Sequence, residues 1–123
     1  MIYETLTYCI DHDIAVITLN RPTVMNALNT QMRAEITDAM CQAGQTARVV
    51  VVTGSGRAFC SGQDLGAEGN FADIDLERTL KDEYVPMLKA ITECPVPTIS
   101  AVNGPAAGAG ANLALAADVV IAA

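Results

Sequence analysis

The stretch TISAVNGPAAGAGANLALAADVVIAA, residues 98–123, decides how the rest of the chain is read. It opens on a short apolar run, ISAV, passes through a turn of glycine, alanine and one proline, and closes on a second β-branched run, DVVIAA. Short apolar runs bounded by turn signals suit buried strands. The segment between them reads as a helix that begins near Gly108 and continues through Asn112 to Ala116. Strand, turn, helix and strand together make the unit of a parallel sheet. The small residues of the turn then have two readings: they let helix and strand pack closely, or they bring bare main chain up to a ligand.

The same unit recurs upstream. RVVVVTG, 48–54, is a run of β-branched residues of the kind found in a strand covered on both faces, and GSGRAFCSGQDLGAEGN after it has the irregular composition of a functional loop. TQMRAEITDAMCQAG from Thr30 places Met32, Ile36, Ala39, Met40 and Ala43 at helical spacing, with Gly44 as a stop. A second helix is expected from about Asp75 to Thr92, with Leu76, Leu80, Tyr84, Met87, Leu88 and Ile91 on one face and a kink at Pro86. IYETLTYCI and IAVITLN, either side of Asp11-His12-Asp13, form a hairpin. The order β, β, α, β, loop, α, β, α, β gives an α/β layer architecture with right-handed crossovers. A closing parallel strand leaves one sheet face wanting a cover, so the chain reads as the first half of a larger fold.

Composition narrows the partners. Seven basic residues against fourteen acidic ones give a formal charge of −7, the opposite of what nucleic acid or an anionic membrane attracts. The amino terminus shows no basic segment leading into an apolar one, so the expected compartment is the cytoplasm. Cys9, Cys41, Cys60 and Cys94 match neither a zinc spacing nor a disulfide scaffold and are expected to be buried thiols. Asp118 and the group Asp73, Asp75 and Glu77 lack the spacing of a calcium loop, so no metal is expected. Met32, Met40 and Met87 read as core fillers.

Two glycine-rich turns, GSGRAFCSGQDL and NGPAAGAGANLAL, each follow a buried strand, and α/β sheets bind ligands just beyond the carboxyl ends of their strands. Main-chain N–H groups and a helix start near Gly108 would stabilise negative charge there. A phosphate cradle is the competing reading, but GAGANL lacks the third glycine of GxGxxG and neither turn contains GK[ST]. Cys60 and Ser61 have the chemistry of nucleophiles, yet the single histidine, His12, falls in the first hairpin. A packed thiol and a loop hydroxyl are the simpler reading. Asp64 is either an acid or an acceptor of local backbone hydrogen bonds.

Three segments, LNRPTVMNALN (19–29), VVVTGSGRAFCSGQDL (50–65) and PTISAVNGPAAGAGANLALAADVVIAA (97–123), resemble in order and spacing the crotonase (enoyl-CoA hydratase/isomerase) superfamily, across essentially the whole chain. The resemblance implies the ClpP/crotonase fold, a spiral of ββα units, with residues 1–123 as a core domain forming its amino-terminal half. It implies an acyl-CoA thioester as substrate, no separate cofactor because CoA enters with the substrate, and a homotrimer or hexamer at full length. An oxyanion hole would come from the backbone N–H groups of Gln63 and Ala109. The CoA moiety would lie along Met25, Ala27, Ala58, Gln63, Asp64, Leu65 and Gly66. Arg21 and Arg57 sit near these loops, either to meet CoA phosphates or as solvated surface charges.

The chain departs from one branch of the family at Asn112, where hydratases of this type carry a glutamate. An amide cannot exchange a proton as a carboxylate does. Asn112 is left either to orient substrate or water, or to bridge within its helix. The family's other catalytic carboxylate would fall past Ala123. The segments look most like the ring-1,2-epoxyphenylacetyl-CoA isomerase branch, with a generic Δ3,Δ2-enoyl-CoA isomerase next and enoyl-CoA hydratase as the alternative. A nucleotide-binding module and a non-catalytic crotonase-like half-domain are the readings from other classes.

Overall fold

The computed structural model describes residues 2–64 and 76–123. Leu65, Gly66, Asp73 and Asp75, named above, lie outside that range. Among the described residues, five strands form one sheet in chain order: β1 (Leu6–Asp11), β2 (Ile14–Leu19), β3 (Val49–Gly54), β4 (Thr98–Val102) and β5 (Val119–Ala122). β1 and β2 are antiparallel, and β2 through β5 run parallel. His12 and Asp13 both take positive φ, 51° and 64°, between the paired Asp11 and Ile14. A two-residue hairpin turn of type I′ requires that geometry.

Helix α1 (Thr30–Thr46) crosses from β2 to β3, and its first turn is capped by Asn29, whose side chain accepts the Met32 N–H at 2.8 Å. Met32, Ile36, Ala39, Met40 and Ala43 are all buried, as their spacing requires. Gly44 does not stop the helix, which runs two residues further. A Cβ there would meet Pro95 Cδ at 2.9 Å, so the glycine serves a close crossing. Between β3 and β4 the described helical segment has three parts: α2 (Leu76–Thr79), a π-helical turn (Leu80–Tyr84) and α3 (Val85–Thr92). Pro86, which cannot donate to the residue four back, is accommodated by that wider turn, in which the Val85 N–H reaches Leu80 O. Helix α4 (Ala109–Leu115) links β4 to β5.

The core lies where Ala15, Ile17, Leu19, Val50 and Val52 meet α1 and α3 through Met32, Ile36, Met40, Met87 and Ile91. The second face of β3, Val49 and Val51, is only half-buried, where a strand covered on both faces was expected, and all of β5 is exposed. Leu76 and Leu80 are exposed too, although their spacing puts them with Tyr84 and Met87. The π turn changes the phase of the helix before the core contact begins. The cysteines differ as well: Cys60 is buried, Cys94 is intermediate, and Cys9 and Cys41 are exposed, on the edge strand β1 and on α1. No helix among the described residues is long and apolar enough to cross a membrane.

A buried carboxylate ties the amino-terminal segment to α1. Glu35, with 0% of its surface exposed, accepts the Glu4 N–H at 2.9 and 3.0 Å, the Thr5 N–H at 2.9 Å, the Thr5 hydroxyl at 2.8 Å and the Gln31 side-chain amide. Burial alone would raise its pKa, but these donors outweigh it and hold the carboxyl below its ordinary 4.5. As pH falls through that ordinary value the unfolded carboxyl takes up its proton first, so acidification favours unfolding. Replacing Glu35 by Ala should cost about 3 kcal/mol in urea unfolding at neutral pH. It should also remove part of the stability loss that the wild type shows below about pH 5.

Candidate functional site

The site is assembled from main chain at the carboxyl edge of the sheet. Beyond β3, residues 59–64 run as a strip between two neighbours. On one side Phe59 and Cys60 N–H groups donate to Pro105 O at 3.0 and 3.3 Å, and Ala107 N–H donates to Cys60 O at 3.1 Å. On the other side Ser61 N–H donates to Met25 O at 3.0 Å, Leu28 N–H to Gly62 O at 2.7 Å and Asp64 N–H to Leu28 O at 2.8 Å. Both glycine-rich turns therefore share one surface, bonded to each other directly.

This contact also orients the two amides singled out in the sequence. Gly62 C=O points at Leu28, and because the peptide unit is planar and trans, the Gln63 N–H in the same unit points the opposite way. The position a Cβ of Gly62 would occupy lies 3.1 Å from Ala107 O and 3.8 Å from Ala109 N. Ala109 opens α4, so its N–H has no acceptor within the helix, whereas those of Gly110, Ala111 and Asn112 return to Ala107 and Gly108. Gly108 adopts φ 54° and ψ −124°, a conformation closed to side chains, and aims the start of α4. Gly110 is required for a different reason: a Cβ there would lie 2.2 Å from Cys60 O.

Gln63, Ala109 and Asn112 line one cavity of about 120 Å³, completed by Leu80, Tyr84 and Leu88. Gln63 and Asn112 bring polar groups to it and Leu80 and Leu88 apolar ones, and the described residues that line it include neither a carboxylate nor an imidazole. That chemistry suits holding a polarised carbonyl more than moving a proton. Asn112 bonds through its main chain to Gly108 and Ala116, and its exposed side chain has no hydrogen-bond partner among the described residues. A larger groove, about 410 Å³, runs between α1 and residues 82–86 past Thr37 and Cys41. Gln63 and Ala109 do not line it, so volume alone points away from the amides.

The remaining candidates fall around this cavity. Met25 is half-buried, while Ala27 and Ala58 are buried and present their carbonyls to Arg21 and to Asn26 and Asn103. Asp64, for which the sequence leaves an acid and an acceptor of local backbone hydrogen bonds open, takes the Arg21 guanidinium at 2.9 Å from 43 residues away. Arg21 is thus a brace between motifs, whereas Arg57 is exposed with its guanidinium 3.9 Å from the Met25 sulfur. Burial pushes the Cys60 thiol pKa up, against a hydrogen bond from Gly62 that lowers it. His12 pairs with Asp11 at 3.1 Å on the exposed hairpin, so neither Cys60 nor Ser61 has an imidazole beside it. Asp118 accepts the Thr98 N–H at 3.0 Å and donates its own to the Thr98 hydroxyl at 2.9 Å, pinning the start of β4 to that of β5.

Two asparagines hold the strip in place and were not singled out from the sequence. Asn26, fully buried and next to left-handed Met25, accepts the Arg21 N–H and donates to Ser55 O, Ala58 O and Phe59 O at 3.0–3.2 Å. Asn103 accepts the Gly54 N–H and donates to Gly56 O and Ala58 O. Their only signal was an amide side chain inside a turn, which looks the same whether it faces water or main chain.

Comparison with known proteins gives a consistent picture. The family model for enoyl-CoA hydratase/isomerase matches residues 10–123. A Rhodobacter capsulatus protein named "Probable enoyl-CoA hydratase" is 62% identical over 123 residues, covering all of this chain and 48% of the relative. An Escherichia coli 1,2-epoxyphenylacetyl-CoA isomerase is 40% identical over 119 residues, covering 93% of this chain and 45% of its own. The crystal structure of an enoyl-CoA hydratase/isomerase from Xanthobacter autotrophicus Py2 superposes with a TM-score of 0.90 at 39% identity, over 98% of this chain and 46% of that one. The chain spans about half the length of the relatives it matches.

If the two loops depend on bare main chain at their crossing, Gly110→Ala must push them apart. A loss of about 2 kcal/mol or more in urea unfolding is expected. An unchanged midpoint would show that the crossing tolerates a methyl group.

Proposed function

The chain belongs to the enoyl-CoA hydratase/isomerase family and has the crotonase fold, and we propose that its protein acts on an acyl-CoA thioester by gripping the thioester oxygen between the Gln63 and Ala109 amides. The observation that carries this reading is the shared cavity, which Gln63, Ala109 and Asn112 all line. When a thioester becomes an enolate, negative charge moves onto its oxygen. Two fixed donors in a site screened from water stabilise that state more than the neutral carbonyl, which is what accelerates the step. Main-chain donors suit the task because their direction is set by the fold rather than by a rotamer. The CoA portion is assigned to Met25, Ala27, Ala58, Gln63 and Asp64, together with Leu65 and Gly66 by the resemblance in sequence, with no separate cofactor.

Asn112 favours isomerisation of an enoyl-CoA or a ring-1,2-epoxyphenylacetyl-CoA over hydration. Its amide orients a substrate oxygen or a water molecule but does not shuttle a proton at neutral pH. Hydration is the second reading, supported by the name of the 62% identical relative.

Proline at position 109 tests the oxyanion reading, because it deletes one donor and little else. The first helical position accepts proline, and Gly108 with ψ −124° is the mirror image of the extended conformation that residues before proline prefer. Ala109→Pro in the full-length protein should therefore keep its unfolding midpoint while kcat on the acyl-CoA substrate falls about 100-fold. Turnover at the wild-type rate in a folded variant would remove Ala109 from the mechanism.

A further inference from the structure

The cavity that holds the two amides has an apolar side, and that side comes from one helical segment: Leu80, Tyr84 and Leu88. In a regular α-helix, residues four apart drift around the axis, because four residues overshoot one turn by about 40°. The step from Tyr84 to Leu88 runs through α3 and has this drift. The step from Leu80 to Tyr84 runs through the π turn, where a wider coil makes four residues fall short of a turn. The two deviations have opposite sense, so the three side chains align along one line facing Gln63 and Ala109. Leu80, at the outer end, is 55% exposed, whereas Tyr84 is buried and Leu88 is packed partly against the core.

The π turn is latched from behind by a charge on α1, Arg33. Arg33, 1% exposed, donates through Nε to Glu83 Oε1 at 2.8 Å, through Nη1 to the Tyr84 hydroxyl at 3.1 Å and through Nη2 to the Thr30 hydroxyl at 3.2 Å, with its Cζ 4.7 Å from the Tyr84 ring centroid. Glu83 also takes Arg78 at 3.1 Å. Arg33 Nη1 further donates to Leu28 O at 2.9 Å, the same carbonyl that accepts the Asp64 N–H at 2.8 Å on the strip carrying Gln63. A single guanidinium thus touches both the segment that carries the apolar wall and the main chain that fixes the amide.

We infer that Arg33 and Glu83 are positioning residues that set the spacing between the oxyanion strip and the Leu80–Tyr84–Leu88 wall, and that Leu80 thereby determines the size of the acyl group accepted. This rests on the thioester reading above. Leu80 stands at the rim, where side-chain bulk limits what lies against the wall. Arg33 and Glu83 act through main chain and helix, without touching substrate.

The test compares kcat/KM of the full-length protein for a four-carbon enoyl-CoA with that for an acyl-CoA bearing an aromatic ring. Leu80→Ala should raise the ring-to-four-carbon ratio about tenfold, and Leu80→Trp should lower it about tenfold. Glu83→Gln keeps the shape of the side chain but removes its charge, and it should shift the ratio in the same direction as Leu80→Ala. A ratio unmoved by both Leu80 variants overturns the wall. A Glu83→Gln protein that is less stable but equally selective overturns the latch. Should that variant not fold, the paired Leu80 variants still decide the specificity claim. Both of these failures are read against a wild type that turns over acyl-CoA thioesters. Absence of turnover by the wild type on every acyl-CoA thioester would instead sink the thioester reading and this inference with it.

Discussion

Cys60 exchanges two main-chain hydrogen bonds with the turn at 105–107, and the whole carboxyl edge of the sheet is arranged around that exchange. It joins the loop after β3 to the loop after β4, which parallel strands would otherwise leave side by side without contact. The join requires that nothing project between the chains, and the 2.2 Å distance from a Gly110 Cβ to Cys60 O shows how little room remains. The alanine and glycine content of residues 104–111 therefore has a mechanical cause. Two peptide planes held this way have fixed directions, and fixed donors can stabilise a charge that appears only in passing without first having to reorganise.

Polar groups buried behind the strip keep it rigid. Asn26 and Asn103 satisfy carbonyls of residues 55–59 that turn inward, Arg21 braces Asp64, and Arg33 joins Leu28 to Glu83 and Tyr84. Asn26 and Arg33 are buried, where an unsatisfied donor or acceptor would be costly. Glu83 shows the balance: burial raises its pKa, but donation and charge from Arg33, with help from Thr30 and Arg78, more than reverse this and keep it ionised. The arrangement reaches from the apolar wall at Leu80 to the amide of Gln63 through only a few hydrogen bonds.

Much of this was legible in the sequence, for reasons that also explain what was not. β-Branched runs mark β2, β3, β4 and β5, helical spacing marks α1 down to its buried residues, and the glycine turns mark the edge at which Gln63 and Ala109 meet. These signals are local or periodic. Glu35 and Arg33 lie on α1 and read as ordinary polar positions, because their partners, Glu4 and Thr5 on one side and Glu83 and Tyr84 on the other, are about 30 and 50 residues away in the chain. Pro86 pointed to a kink, but the answer chosen, a π turn that rephases Leu80, depends on the contact with α1. Gly44 resembled a helix stop because a packing glycine and a capping glycine look identical until Pro95 is seen beside it. Exposed Cys9 and Cys41 follow residue-type preference poorly because β1 is an edge strand and Cys41 lines the open groove between α1 and residues 82–86.

The central claim is that two separate turns present their amides to one oxygen atom. A crystal structure of the full-length protein with a bound acyl-CoA thioester, or a stable enolate mimic of one, measures this directly. The acyl oxygen is expected at about 3 Å from both the Gln63 and the Ala109 nitrogen, with the acyl group against Leu80, Tyr84 and Leu88. An acyl oxygen bound by only one of these nitrogens, or by neither, would contradict the account.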